Sequence, residues 1–102
     1  MESRRSYPVF IMFNGRIFNE VVISSHYKEN HSKYMSDELI LKIVQALNRE
    51  NASFQSRSIY WKYFEIDRMH LGKAFRLILC ISEYENYIGV VNCYRRKNHG
   101  ER

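Results

Sequence analysis

The segment Ser24–Ser36, SSHYKENHSKYMS, carries the residues best suited to chemistry: His26, Lys28, His31 and Lys33 fall within eight residues. An imidazole changes charge near neutral pH and can give or take a proton. The lysine ammonium groups beside it could hold a phosphate. On a helix, His26 and His31 would stand about 140° apart. Joint action by the two therefore requires at least one of them in a non-helical turn. Lys28 and His31, three apart, would be neighbours. The same composition also suits a solvated connector without any catalytic part.

The elements that must position this segment can be read on either side of it. Pro8–Phe13 is a short apolar run ending at Asn14-Gly15, the dipeptide that satisfies the two positive φ angles of a type I′ turn. Arg16–Ile23 is then the returning strand, and Pro8 suits the start of an edge strand, where no ladder donor is lost. Met1–Tyr7 is charged and reads as a frayed end. Ser36-Asp37-Glu38 supplies an N-cap and two carboxylates for a first helical turn. Leu39, Ile40, Ile43, Val44 and Leu47 follow as an apolar stripe, predicting a helix from Asp37 to about Arg49. Glu50–Arg57 is a polar loop.

Ser58–Asp67, Lys73–Ser82 and Tyr87–Arg95 are strand-like, joined by turns at Met69–Gly72 and Glu85-Asn86. A two-residue loop at Glu85-Asn86 would set Arg76 opposite Arg95 and Leu77 opposite Tyr94. Like charges so placed cost stability unless an anion or acid lies between them. Lys97–Arg102 is a polar tail. The reading is an α+β domain. An N-terminal hairpin, a short helix and an amphipathic helix pack on a twisted antiparallel sheet that ends in a three-stranded meander.

Composition bounds the function. The chain has 102 residues, 45% of them hydrophobic and 15% aromatic, enough for a single domain over 1–102 with its core at about 8–96. Sixteen Lys and Arg against eleven Asp and Glu leave a formal charge of +5, which favours anionic partners. Cys80 and Cys93 lie in strand-like runs and read as buried free thiols in a reducing compartment. The apolar run after Arg4-Arg5 is too short for a signal core or a membrane span, so a cytoplasmic protein is expected. There is no HExxH, no Cys/His metal spacing, no GxSxG, no Walker loop and no GxGxxG. No metal and no cofactor are expected.

The stretches VVISSHYKENHSKYMSDELILKIVQAL and GKAFRLILCISEYENYIGVVNCYRR resemble small ribonuclease toxins of the barnase/EndoU/colicin/RelE-like superfamily, over about residues 20–96. The resemblance implies metal-independent RNA cleavage by 2′-OH attack. A base and an acid transfer protons, and cations stabilise the charged phosphorus centre. His26 and His31 are then the acid/base candidates, with His26 the better placed after its strand. Arg76 and Tyr94 complete the candidate catalytic set. Lys28, Lys33, Arg95 and Arg96 are candidate phosphate contacts. Such a toxin implies an acidic antitoxin or immunity protein as partner. Ordinary alternatives stand beside these roles: Arg76 paired with Glu65, Tyr94 as sheet packing, and Arg95-Arg96 as a solvated strand end. The competing function is a non-catalytic nucleic-acid-binding module using the same basic and aromatic surface.

Overall fold

The computed structural model describes residues 4–31 and 33–96, the side chains of 30 and 31 excepted. Eight elements follow in order: β1 (Arg4–Phe13), β2 (Arg16–Ser24), α1 (Tyr27–His31), α2 (Asp37–Gln45), β3 (Ser56–Arg57), β4 (Lys62–His70), β5 (Lys73–Ile81) and β6 (Tyr87–Arg96). The strands form one six-stranded sheet in the order β1-β2-β6-β5-β4-β3.

The expected α+β architecture on an antiparallel sheet is corrected. The molecule is mostly sheet, with helices of only 5 and 9 residues, and the sheet is open and mixed. β2 runs parallel to β6, from Glu20↔Tyr87 to Ile23↔Val90. Parallel neighbours need a long crossover rather than a hairpin, and the chain from α1 to β5 supplies it. Periodicity within each strand carries no information about that pairing.

Local turn chemistry builds the hairpins. Asn14 (φ 53°) and Gly15 (φ 74°) join β1 to β2, and Leu71 (φ 51°) and Gly72 (φ 79°) join β4 to β5. Arg4–Tyr7, expected to fray, belong to β1 and pair with Val21–Ser24. Pro8 sits within β1, at an edge of the sheet and beside the register shift between Pro8 and Ile11. Ser36 caps α2, its Oγ accepting from the Leu39 N–H at 3.1 Å.

The helix stops at Gln45, not near Arg49. Tertiary pairing wins there: the Arg49 N–H donates to the Met12 carbonyl at 2.7 Å and the Asn14 N–H to the Glu50 carbonyl at 3.0 Å. Asn14 also clamps Ala52 through its amide, donating to the carbonyl at 3.0 Å and accepting from the N–H at 2.7 Å. The expected strand at Ser58 begins only at Lys62, because the Ser58 N–H closes a turn onto the Trp61 carbonyl at 2.8 Å.

One face of the sheet is buried. Phe13, Phe18, Val21, Ile23, Leu77, Leu79 and Ile88 form a single cluster there with Ile40, Ile43, Val44 and Leu47. Among the described residues, the opposite face carries no helix. No helix is long and apolar enough to cross a membrane.

Candidate nucleic-acid interface

Strand alternation decides what the helix-free face displays. Val22 lies between buried Val21 and Ile23, Cys80 between buried Leu79 and Ile81, and Tyr63 precedes buried Phe64. These outward residues, with Trp61, Tyr87 and Gly89, form a trough of about 450 Å³. Gly89 is its floor: a Cβ there would lie 2.6 Å from the Cys80 sulfur. A mid-strand glycine commonly marks such a close approach. Trp61 and Tyr87 stand 5.8 Å apart with ring planes at 48°. Burial pushes the Cys80 thiol up to about 11, so at neutral pH it behaves as an apolar wall.

Arg4, Ser24 and His26 complete the lining of the trough. Arg4 makes no ion pair with any described residue. His26 occupies the turn between β2 and α1, and so meets the non-helical requirement. Its backbone N–H bonds the Ser24 hydroxyl at 3.0 Å. Its side chain is 51% exposed, with Nδ1 3.7 Å from the Glu29 carboxylate. The result is an accessible imidazole at the edge of an aromatic surface.

The other end of the same face holds Arg76, Tyr94 and Arg96, but not as free cations. Arg76 bonds Glu65 at 2.8 Å and Asp67 at 2.8 and 3.2 Å. Arg96 bonds the same Asp67. Two carboxylates thus balance two guanidinium groups. Asp67 is held below the usual carboxylate range, chiefly by its hydrogen bonds from Arg76. The alternative that pairs Arg76 with Glu65 is what forms, strengthened by Asp67.

The register expected across β5 and β6 is corrected as well. Arg76 faces Tyr94 and Phe75 faces Arg95, owing to a shift between Ile78 and Leu79. Arg95 therefore points to the helix side, beside Tyr34, Leu39, His70 and Lys73. The predicted set is split between the two sides of the sheet. Lys28, on α1, and Lys33, beyond it, are exposed. Lys33 lies with its ammonium 5.8 Å from the Tyr34 ring centroid. His31 ends α1, and its side chain lies outside the described residues, as does the tail with His99. Among the described residues, no group of three or more His, Cys, Asp or Glu is placed to hold a metal.

A polar hub anchors the segment that carries His26. Asp37, at the start of α2, accepts from Arg5 Nε at 2.5 Å and Nη2 at 2.7 Å. It also accepts from the Tyr7 hydroxyl at 2.5 Å and the Tyr27 hydroxyl at 2.7 Å. A second Arg5 nitrogen reaches the Ser25 hydroxyl at 2.5 Å, next to His26. The Arg5 hydrogen bonds hold the Asp37 carboxyl well below its ordinary range. Burial, with help from Asp37, pushes Tyr27 up to about 12.

Sequence reasoning missed Arg4, Trp61, Tyr63, Tyr87 and Gly89. The lone glycine inside the apolar run YIGVV was the one available signal. Comparison with protein-family models, curated proteins and solved structures found no match. The likeness to ribonuclease toxins therefore rests on its residues alone.

Proposed function

We propose that the helix-free face binds single-stranded nucleic acid, RNA in the first place. The observation that carries this reading is the Gly89-floored trough, walled by Trp61, Tyr63 and Tyr87 and edged by Arg4 and His26. Exposed rings on a sheet are stacking platforms for unpaired bases, and a nearby cation meets the backbone phosphate. The +5 charge supplies long-range attraction. The neutralised Arg76–Asp67–Arg96 group borders the trough without adding to it.

Trp61 is the only tryptophan, so binding reports itself by fluorescence. Titration with a single-stranded 12-mer RNA should quench Trp61, with an affinity that falls as salt rises. Loss of one stacked ring costs about 1–3 kcal/mol, roughly 5- to 150-fold in affinity. Tyr87→Ala should show that loss, and Arg4→Gln should lower the salt slope. An unquenched wild type at low salt, or unchanged affinity in both variants, overturns the reading.

A second reading, ribonuclease action, is favoured by the accessible His26 imidazole at the trough's edge. His26 would transfer a proton while the trough holds the strand, and an acidic antitoxin or immunity protein would cover the cationic edge. Wild type and His26→Ala incubated with total RNA in EDTA decide it. Fragments ending in 2′,3′-cyclic phosphate, absent with the variant, support cleavage. Intact RNA with bound strand leaves a binding module.

A further inference from the structure

The trough is not the end of the surface that suits a nucleic-acid strand. Trp61 is a wall it shares with a second pocket, of about 380 Å³, formed where the β3–β4 turn approaches the start of β2. Three cations line this pocket: Arg16, Arg57 and Lys62, against one carboxylate, Glu83. Arg16 is fixed by donating to the Ser82 and Glu85 carbonyls at 3.0 and 2.9 Å. It lies 4.7 Å over the Phe18 ring. Carbonyl acceptors orient a guanidinium without cancelling its charge. Lys62 sits 5.2 Å over Phe54, and Arg57 is exposed. Tyr60, 62% exposed, offers a ring at the mouth, held edge-on 6.0 Å from Tyr84.

We propose that this pocket takes one phosphate-bearing nucleotide of the same strand that occupies the trough, its base on Tyr60 and its phosphate among Arg57, Lys62 and Arg16. The strand turns at Trp61, which contacts it on both sides. This extension rests on the trough being a nucleic-acid site. Its charge argues for a nucleotide over an apolar ligand: three cations converge on a cavity whose other walls are aromatic. Its size lies within the roughly 300–1,000 Å³ typical of small-ligand pockets.

The test is a length series of single-stranded RNA, from 2 to 12 nucleotides, on three proteins: wild type, Arg57→Gln/Lys62→Gln, and Arg4→Gln/Tyr87→Ala. Wild-type affinity should climb with length until both sites are spanned and then level off. The pocket variant should bind the shortest RNAs as the wild type does but lose the later gain. Its salt slope on the 12-mer should be shallower by about 1.4, for two lost phosphate contacts on a single strand. Tyr60→Ala should lose the same gain with the salt slope unchanged. If the pocket variant matches wild type at every length while the trough variant fails on the shortest, the extension is overturned and the trough reading stands. Equal loss by the pocket variant on duplex DNA marks an unspecific cationic patch and overturns it too. A wild type that binds no RNA overturns both.

Discussion

Replacing Asp37 tests whether the polar hub holds the His26 segment in place. Its carboxylate takes two bonds from Arg5 and one each from Tyr7 and Tyr27, tying β1, α1 and α2 together. The Asp37 and Arg5 side chains are only 16% and 23% exposed, and Tyr27 is 2% exposed. Asp37→Ala leaves a guanidinium and a buried phenol without their acceptor. Breaking a fully buried charge pair costs about 3–5 kcal/mol, and a hydrogen bond to a charged group contributes about 1.5–3 kcal/mol. Water can reach part of Arg5, which moves the expected loss to about 3 kcal/mol. For a domain of this size that is roughly 12–24 °C in Tm. Asp37→Asn keeps the shape and one acceptor, and should lose less.

Urea unfolding followed through far-ultraviolet circular dichroism measures these losses, and pH supplies the independent arm. The Asp37 pKa is depressed in the folded state, so its contribution is present above the unfolded value of about 3.9 and fades as pH falls below it. The gap between wild type and Asp37→Asn should therefore be full at pH 7 and narrow below about pH 4. The reasoning fails if Asp37→Ala loses less than about 1 kcal/mol. It also fails if Arg5→Gln costs as much with Asn at position 37 as with Asp, or if the gap persists unchanged at pH 2.

Three further outcomes follow from the geometry. Gly89→Ala drives a Cβ to 2.6 Å from the Cys80 sulfur, so a loss of about 1–3 kcal/mol is expected. Adding Cys80→Ala should restore most of it in thermal unfolding, and no recovery would point to the backbone instead. Leu71 holds φ 51° while 88% exposed, and Leu71→Asn should raise stability by about 1 kcal/mol because Asn tolerates that conformation. A lower Tm would contradict this. Burial pushes the Cys80 and Cys93 thiols up to about 11 and about 12. Alkylation at pH 7.5 should run about a hundredfold slower than for a free thiol. Cys80 should react first, and bound RNA should slow it further. Rapid labelling of Cys93 would show that the core opens readily.

The features that were legible in the chain are those made by neighbours in sequence. Asn14-Gly15 turns because its two residues tolerate positive φ. Ser36 starts a helix because its hydroxyl reaches the Leu39 N–H. Phe75, Leu77, Leu79 and Ile81 face the core because strand side chains alternate. Even so, the apolar stripe beyond Gln45 did not extend the helix, since Met12 and Asn14 claim the backbone of residues 49 and 50.

The candidate site was legible only at His26, a polar residue after an apolar strand. Its surroundings come from β1, β2, the turn before β4, β5 and β6, brought side by side by one parallel pairing and one register shift. A register shift of one position decides whether Arg76 meets Arg95 or Tyr94, and residue types alone do not encode it. Likewise, Arg76 could read as a phosphate ligand until Glu65 and Asp67 were found against it. Turns, caps and alternation are local and are set by the chain's own covalent neighbours. Strand order, register and the pairing of charges depend on contacts between distant segments, whose competition is resolved only when the whole sheet assembles.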